Sequence, residues 1–506
     1  MNSSIRRLAV AVVATVASAT LFVFGTGLTP TPWLTWLAPL PVLLLALRVR
    51  ARVAFLAASA AWLGGETPMW GYFLNTVQIP PPMVVSIVIG SALLFGLVVL
   101  LARGLIRQGR PLLAVAATPA AWVVIEYAMS VLSPNGAWWS LAYTQADILA
   151  VLQAAAVTGP WGITFLLLGV PTAVAALLAP QAAGRARVAV AAGLILALTA
   201  GYGVWRLHTP GGGGSEQVAL LATDRLSDPT PVDTPEGRNL LAEYGTHITE
   251  VAARGARVVV MPEKVFAADD TTLPVLATPL ARLAADHGVD VIVGLVLEQH
   301  GALRNAAIDF PADGGRPVVY FKHHLISGLE GDFAPGDQPA FVADSGTRWG
   351  IAICFDLDLP GLVRDYRRRG ATTLFVPAWD FNQDAWLHGR MAVTRGVESG
   401  LTVARAARNG DLVVSDAHGR IVAEAHSADA PFVSLVTTFP DSPAPTMYAK
   451  FGDWFAWACM VLLLIGLILV NRSLKGRRNA QRGAVRAGLP GRRGGGTRRG
   501  QLVHRL

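Results

Sequence analysis

The chain has 506 residues, of which 53% are hydrophobic and only 15% are charged, and its formal net charge is +8. This composition shifts the class from a soluble globular protein toward a membrane protein. The last 36 residues carry eleven Lys or Arg side chains and no Asp or Glu, and without them the net charge becomes −3. Because the basic character belongs to this tail, we do not expect the folded part to bind nucleic acid.

Apolar segments in the first two hundred residues and one late segment predict membrane-spanning helices, each of which needs about 20 mostly apolar residues. The shortest segment is included because every Lys or Arg cluster then falls on one side of the membrane, whereas the loops at 27–32, 66–82 and 133–149 contain none. We interpret the first segment as a retained helix rather than a cleaved signal peptide. The eight predicted spans are 8–26, 33–48, 53–65, 83–102, 112–132, 150–178, 188–206 and 453–470.

The charge pattern also predicts the domain organisation. Both termini are expected on the cytoplasmic side, and the block before the last span is expected outside. The predicted units are a membrane domain at 1–207 with seven spans, a Gly-rich linker at 208–215, an extracytoplasmic domain at 216–450, a final span at 451–471 and a basic, disordered cytoplasmic tail at 472–506. The loops at 66–82 and 133–149 are rich in Pro and aromatic residues and are expected to floor a lipid-accessible cavity under the outer domain.

Short apolar runs alternate with amphipathic segments in the outer block, which predicts an α/β sheet layered with helices. Strands are expected at 218–222, 258–261, 289–297, 303–310, 317–321, 348–353 and 372–376, with further short strands to 436, and helices at 235–254, 276–287, 359–369 and 384–398. No dinucleotide-binding or P-loop motif is present. His323 and His324 adjoin at a predicted strand end and are expected to point to opposite faces, so no metal site is predicted.

Three of the predicted strands end in residues that carry acid, base or nucleophilic chemistry. Glu263 follows Met261-Pro262, Lys322 follows Tyr320-Phe321, and Cys354 follows Ala352-Ile353. In a layered sheet the three ends can converge, and together they suit acyl transfer: Glu263 as the base that activates the Cys354 thiol, and Lys322 as the oxyanion donor. Taken singly, each residue also has an ordinary structural explanation, since free cysteines are usually buried as small hydrophobes.

These motifs resemble the nitrilase superfamily and, within it, the bacterial apolipoprotein N-acyltransferases. The resemblance identifies Glu263, Lys322 and Cys354 as a Glu-Lys-Cys triad, with Glu330 as a second glutamate eight residues after the lysine. Phe355 and Asp356 are the supporting residues after the nucleophile. Further matching segments are Pro377-Ala378-Trp379-Asp380, His388-Gly389-Arg390-Met391-Ala392, Arg405-Ala406-Ala407-Arg408-Asn409-Gly410 and Met447-Tyr448-Ala449-Lys450-Phe451-Gly452-Asp453.

The chain departs from the family pattern at two places near the predicted site. Ser327-Gly328-Leu329 replaces the usual Pro-Phe-Gly before Glu330, and Asp356 stands where these acyltransferases commonly have a glutamate. The departures leave the triad intact and concern the recognition of the acyl donor or acceptor.

The resemblance implies an α-β-β-α nitrilase-like sandwich inserted in an eight-span helical membrane domain of the bacterial inner membrane. It implies a phospholipid acyl donor, a thioester on Cys354, a diacylglyceryl-modified lipoprotein as acceptor, and no cofactor. Two alternatives remain open at this stage: a membrane-tethered carbon–nitrogen hydrolase acting on a small molecule, and a non-catalytic scaffold with the same fold. Eight spans favour a lipid substrate, since one helix would be enough to tether a hydrolase.

Overall fold

We describe a computed structural model of the chain, which covers residues 3–180, 184–209, 215–225, 227–343, 345–346, 348–440, 442 and 444–487. Most of the predicted linker at 208–215 and the part of the predicted tail from 488 onward lie outside the described residues.

The first half of the described chain is helical. Prolines and apolar runs set its boundaries, because proline is tolerated in the first helical turn and disrupts a helix further along. The helices are α1 (Ser3–Gly25), α2 (Pro32–Leu37), α3 (Leu40–Ala46), α4 (Ala51–Gly65), α5 (Met69–Gly71), α6 (Pro81–Arg107), α7 (Pro111–Leu132), α8 (Leu149–Leu152), α9 (Ala155–Thr158), α10 (Pro160–Leu177) and α11 (Arg185–His208), with a π-helical turn at Tyr72–Thr76 and a 3₁₀ turn at Leu141–Gln145.

Six helices of the described chain are long and apolar enough to cross a membrane: Ile5–Gly25, Pro81–Arg107, Pro111–Leu132, Pro160–Leu177, Arg185–His208 and Trp454–Arg472. The predicted spans 33–48 and 53–65 correspond to the shorter apolar segments Pro32–Ala46 and Ala51–Gly65. The count of eight therefore stays a prediction, while the chain is a multi-pass membrane protein.

One predicted span is wrong in form. The segment 150–178 was expected to be one continuous helix, but α8, α9 and α10 divide it. Gly159 separates the last two with a φ of 65°, and a Cβ atom there would lie 2.5 Å from the Tyr448 ring. Since Pro160 then starts α10, the chain bends at the point where the outer domain packs against it.

The outer domain contains two β-sheets. Its strands are β1 (Ser215–Ala222), β2 (Thr230–Pro231), β3 (Val258–Val260), β4 (Phe266–Asp269), β5 (Asp290–Gln299), β6 (Ala302–Phe310), β7 (Val318–Phe321), β8 (Ala340–Phe341), β9 (Trp349–Ile351), β10 (Thr373–Trp379), β11 (Thr402–Arg408), β12 (Asp411–Ser415), β13 (Ile421–His426) and β14 (Val433–Pro440). The first sheet runs β14-β1-β3-β5-β4-β2, with β6 on β5 and β7 on β6, and the second runs β13-β12-β11-β10-β9-β8.

Helices cover the outer faces of both sheets. They are α12 (Pro235–Ala253), α13 (Leu273–His287), α14 (Pro360–Arg368) and α15 (Ala385–Ser399), followed by the short α16 (Met447–Phe451) and by α17 (Trp454–Ala487), which returns to the membrane. One apolar cluster joins the inner faces of the two sheets, including Val260 and Ile351. A second lies between the first sheet and α12 and α13, and a third between the second sheet and α14 and α15. The architecture is therefore the predicted α-β-β-α sandwich.

Three local expectations need correction. β4 was not predicted, because a four-residue segment ending in Asp269 carries little pattern. His323 and His324 lie beyond β7 rather than at its end, so they are not related by strand alternation. Residues 472–487, predicted as disordered, continue α17 as helix to Ala487, because Ala, Arg, Lys and Gln propagate a helix that the apolar segment has already started.

Candidate active site

The two sheets bring the three predicted chain ends together. Glu263 follows β3, and its amide N–H donates to the Ala378 carbonyl of β10 in the other sheet (3.2 Å). The Lys322 amide, just after β7, donates to the Asn305 carbonyl of β6 (2.9 Å). Cys354 follows β9 after two residues, so all three residues lie just beyond strand ends at one end of the sandwich.

Lys322 is at the centre of the polar cluster. Its Nζ lies 2.9 Å from Oε1 of Glu263 and 3.0 Å from Oε2 of Glu330. The side chains are buried, with relative exposures of 2% for Glu263, 1% for Lys322 and 1% for Glu330. The ammonium therefore holds both carboxylates in fixed positions, and a loop-solvated Glu330 is excluded.

Two further residues complete this cluster, and neither was predicted. The Asn305 Nδ2 group donates to Glu263 (2.6 Å) and to Glu330 (2.7 Å). The Lys264 Nζ lies 2.5 Å from Glu330. Glu330 thus has two ammonium groups beside it, whereas Glu263 faces Lys322 and the amide alone among the contacts described.

The electrostatics follow from this arrangement. Burial by itself would raise the pKa of the Glu330 carboxyl, but Lys322 and Lys264 outweigh it and lower that pKa to about 2. Burial would likewise lower the pKa of the Lys322 ammonium, yet Glu263 and Glu330 raise it above its ordinary value. At neutral pH Lys322 is therefore a permanent cation and Glu330 a permanent anion.

Cys354 has an uncommon backbone conformation. It begins the 3₁₀ turn Cys354–Asp358 with a φ of 43°, a left-handed conformation that is uncommon for a residue with a side chain and occurs most often where function requires it. Its Sγ lies 3.6 Å from the Trp379 carbonyl oxygen. Burial raises the pKa of the thiol, and Glu263 raises it further while Lys322 opposes the shift. The resting group is thus a thiol that needs a base.

Asp356 ties the residue before Cys354 to the segment that follows β7. Its carboxylate accepts hydrogen bonds from the Ile353 amide (3.0 Å), the His324 amide (2.9 Å) and the Tyr320 hydroxyl (2.7 Å). His324 Nδ1 lies 3.2 Å from the same carboxylate. Asp356 therefore positions the turn that carries Cys354 and does not reach toward the triad.

Two family comparisons match successive parts of the chain. Residues 229–437 match the family described as carbon-nitrogen hydrolase, and residues 18–173 match the apolipoprotein N-acyltransferase N-terminal domain. An apolipoprotein N-acyltransferase of Geobacter metallireducens is 27% identical over 86% of this chain and 89% of its own length. The chain belongs to the apolipoprotein N-acyltransferase family of the nitrilase superfamily.

Two further matches cover smaller shares of the chain. An apolipoprotein N-acyltransferase of Gloeobacter violaceus is 29% identical over 67% of this chain and 69% of its own length. Among solved structures, a variant of a Nesterenkonia amidase from the nitrilase superfamily is 20% identical, covers 48% of this chain and 95% of that chain, and has a TM-score of 0.39.

In this member of the apolipoprotein N-acyltransferase family, a cavity of about 210 Å³ separates the membrane domain from the outer domain. Its walls come from both loops predicted to form a floor and from the Ser327-Gly328-Leu329 segment and Phe355 of the outer domain. A second, mostly apolar cavity of about 280 Å³ lies among α4, α6 and α7 and shares Met129, Gly136 and Trp139 with the first. Phe355, which follows Cys354 in the chain, thus lines the first cavity.

A loop of the membrane domain touches the turn that carries the nucleophile. The Ala137 amide donates to the Asp358 carbonyl (2.9 Å). Gly136 has a φ of 55°, and a Cβ atom there would lie 1.9 Å from Leu359 Cδ1 and 2.5 Å from the Asp358 carbonyl oxygen. Only glycine allows the two backbones to approach this closely.

Proposed function

We propose that this chain is a phospholipid-dependent apolipoprotein N-acyltransferase that moves a fatty acyl group through a Cys354 thioester to the amino terminus of diacylglyceryl-modified lipoproteins. The observation that carries the proposal is the Lys322 ammonium held between Glu263 and Glu330, at the end of the sandwich where Phe355, next to Cys354, lines a cavity formed with the membrane domain.

In the first half-reaction Glu263 takes the proton from the Cys354 thiol. The thiolate attacks the ester carbonyl of the phospholipid, and the oxyanion that forms is stabilised by Lys322 and by backbone N–H groups beside Cys354. The C–O bond then breaks, and Glu263 returns the proton to the departing lysophospholipid. An acyl thioester remains on Cys354.

In the second half-reaction the α-amine of the lipoprotein attacks the thioester carbonyl. A C–N bond forms and the C–S bond breaks, with Lys322 again stabilising the oxyanion. One amine proton passes by way of Glu263 to the sulfur, which restores the thiol. The cavity of about 280 Å³ supports a lipid substrate, because its mostly apolar walls are continuous with the membrane helices.

The localisation that accompanies this mechanism is the bacterial inner membrane, with both termini cytoplasmic and the catalytic domain outside. The distribution of Lys and Arg over the loops supports this orientation. An active site at the outer bilayer surface meets both substrates without extracting their acyl chains into water.

The test is to incubate the purified full chain in lipid nanodiscs with a phospholipid labelled in its acyl chain, and then to add a diacylglyceryl-cysteinyl peptide. We expect a label on Cys354 that hydroxylamine removes, followed by transfer to the peptide amine. Cys354→Ala must form no adduct. Adduct that is released only as free fatty acid would instead identify a hydrolase, and a wild-type chain without adduct would exclude both enzymes.

A further inference from the structure

The cavity between the two domains is lined by a buried carboxylate, one oxygen of which has no hydrogen-bond partner among the described residues. Asp358 is 2% exposed and lines the cavity, and its Oδ2 atom has no hydrogen-bond partner among the described residues. Beside it, the His388 side chain also lines the cavity, and His388 Nε2 has no partner with hydrogen-bond geometry in the described part of the chain. Buried polar atoms are rarely left unpaired, so these atoms indicate a ligand.

The charge around Asp358 favours a cation. His388 lies 3.4 Å from the Asp384 carboxylate and 3.7 Å from that of Asp380. Arg405 forms a two-point ion pair with Asp380, and the other guanidinium nearby, Arg395, is paired with Glu398. Asp358, Asp380 and Asp384 therefore outnumber His388 and Arg405, and this cluster remains negative even when His388 is protonated. Lys322 also acts on Asp358, but its charge is balanced by Glu263 and Glu330.

The aromatic lining of the cavity and the unpaired oxygen of Asp358 indicate which kind of cation fits this site. Aromatic side chains from both domains surround the cavity, namely Tyr72, Trp138, Phe355 and Phe381, and aromatic faces attract cations. Asp358 Oδ2 requires an N–H or O–H donor. A quaternary ammonium has no such donor, whereas a primary ammonium has three and fits a small site between aromatic rings.

We propose that Asp358, with His388 beside it, is the binding group for a primary ammonium in this cavity. This inference rests on the proposed function, in which two substrates can supply such a group: the free amino terminus of the diacylglyceryl-cysteine acceptor and the ethanolamine headgroup of a phospholipid donor. The Asp358 carboxylate accepts N–H hydrogen bonds from the ammonium. When the acceptor is the source, the carboxylate takes up one ammonium proton as the amine becomes nucleophilic, and the second proton leaves during the attack on the thioester.

The change of the acceptor KM with pH distinguishes ammonium binding by Asp358 from a purely structural role, which would not alter this pH dependence. Burial raises the pKa of Asp358 to about 6, with His388, Arg395, Arg405 and Lys322 opposing the shift. The carboxylate is therefore ionised above about pH 6 and neutral below it. We expect the KM for the acceptor to rise as the pH falls below about 6 in the wild type and to lose this dependence in Asp358→Asn.

The experiment measures the two half-reactions separately in the full chain. Thioester formation is followed with phosphatidylethanolamine and with phosphatidylglycerol, and transfer is followed with a diacylglyceryl-cysteinyl peptide. We expect Asp358→Asn to weaken one of these steps about ten- to a hundredfold, the loss associated with a hydrogen bond to a charged group. The matched control is Asp365→Asn, because Asp365 is an exposed carboxylate on the next helix.

Two outcomes support the proposal and identify the source. A raised KM for the peptide with unchanged thioester formation assigns the ammonium to the acceptor. Slower thioester formation from phosphatidylethanolamine, but not from phosphatidylglycerol, assigns it to the donor headgroup. Unchanged kinetics in every arm, or an equal loss in every arm, overturns the proposal.

A binding measurement separates this proposal from the proposed function. If the wild type forms no thioester, the affinity of Cys354→Ala protein is measured for the peptide with a free amino terminus and for its N-acetylated form, and for the two phospholipids. Asp358→Asn must then remove the preference for the ligand that carries a primary ammonium. Equal affinities with and without Asp358 contradict the inference, whatever the activity of the chain.

Discussion

Two buried carboxylates share the ammonium of Lys322, and Asn305 and Lys264 determine how they share it. Lys264 and Lys322 both neutralise Glu330, so Glu330 is a fixed anion that organises the loop before it. Glu263 has the Lys322 ammonium and the Asn305 amide as its described partners. This asymmetry leaves Glu263 as the carboxylate suited to exchange a proton with the thiol.

Asn305→Ala tests this division of roles. The substitution removes donors from both Glu263 and Glu330 and leaves two buried carboxylates less satisfied. We expect the rate of Cys354 thioester formation to fall about ten- to a hundredfold, as for other hydrogen bonds to charged groups, with little change in the KM for the acceptor peptide. The control is Asn239→Ala, an exposed position on α12, and an unchanged rate in Asn305→Ala would contradict the assignment.

Glu330 predicts an acid-dependent stability. Its pKa of about 2 lies below the ordinary value of 4.5, so the folded state favours the ionised carboxylate. This stabilisation is fully present above about pH 4.5 and is lost as the pH falls toward 2. We expect the unfolding temperature of Glu330→Gln to be lower than that of the wild type at pH 6, and the difference to shrink between pH 4.5 and pH 2.

Glu236→Gln is the matched control for this measurement, because Glu236 is exposed in the first turn of α12. Its unfolding temperature relative to the wild type should not follow the same pH course. A Glu330→Gln difference that stays constant down to pH 2 would mean that the ionised carboxylate is not the stabilising form.

Among single residues, the sequence allows prediction of the site residues that follow the ends of strands. It does not allow prediction of those that lie within strands. Glu263, Lys322 and Cys354 each follow an apolar run, and the fold brings them to one end of the sandwich. Their catalytic roles remain predictions. Asn305 lies inside β6 and Lys264 adjoins Glu263 in sequence, so neither is distinguishable from an ordinary strand or loop residue. Asp358 belongs to no motif in the sequence. Its proposed role depends on its position in the wall of the cavity, which only the structure shows.

Among the elements, the loop at 133–140 of the membrane domain is in direct contact with the turn Cys354–Asp358. Gly136 packs on Leu359, and the adjoining Ala137 amide binds the Asp358 carbonyl. A methyl group at Gly136 must displace one of the two backbones. The displaced backbone is either the floor of the cavity or the nucleophile turn itself.

Gly136→Ala should therefore reduce thioester formation strongly, to about a hundredth of the wild-type rate if the turn moves by about 1 Å. Gly109→Ala is a close control, because Gly109 also has a positive φ (72°) but a Cβ atom there would meet nothing within 4 Å. Both variants then carry the energetic cost of an alanine at a positive φ. The difference between their rates of thioester formation therefore measures the effect of the contact at Gly136. Equal rates for the two variants would show that this contact does not set the position of Cys354.

The helices and strands that could be predicted from the sequence are those with a long pattern of apolar residues. The helices α12, α13 and α15 and the strands β1, β5 and β6 lie close to their predicted bounds, because each has several periods of apolar alternation. The segments that failed are short or interrupted: β4 has four residues, and the apolar run at 150–178 conceals the bend at Gly159. Hydropathy measures the apolar content of a segment, but it does not report a packing contact made by Tyr448 from another part of the chain.

For the whole molecule, the orientation in the membrane is the most direct prediction. In a Cys354→Ala background, Asp286→Cys lies on an exposed position of α13 in the outer domain, and Arg50→Cys lies on an exposed position between α3 and α4. We expect a membrane-impermeant maleimide added to intact cells to label the cysteine at 286 and not the one at 50. Labelling of both after the cells are opened is the control, and the reverse pattern would invert the topology.

The two domains are joined by polar contacts as well as by the chain. Arg390 of α15 binds Asp147 of the membrane domain (2.6 Å) and Glu424 of the outer domain (2.5 Å). Arg364 of α14 binds Asp453 (3.2 Å), which also accepts a hydrogen bond from the Trp161 indole of α10 (2.9 Å). These pairs could not be predicted from the sequence, since the motifs that contain Arg390 and Asp453 do not indicate their partners, which lie many residues away.

The close approach at Gly136 has a consequence for biogenesis. In the proposed orientation, the loop that floors the cavity is placed during membrane insertion, whereas the sandwich above it would fold only after export of the outer block. Neither half alone presents a positioned thiol, so acylation of Cys354 would report that insertion and export have both been completed. A labelled acyl donor given during synthesis would therefore time the maturation of this protein in living cells.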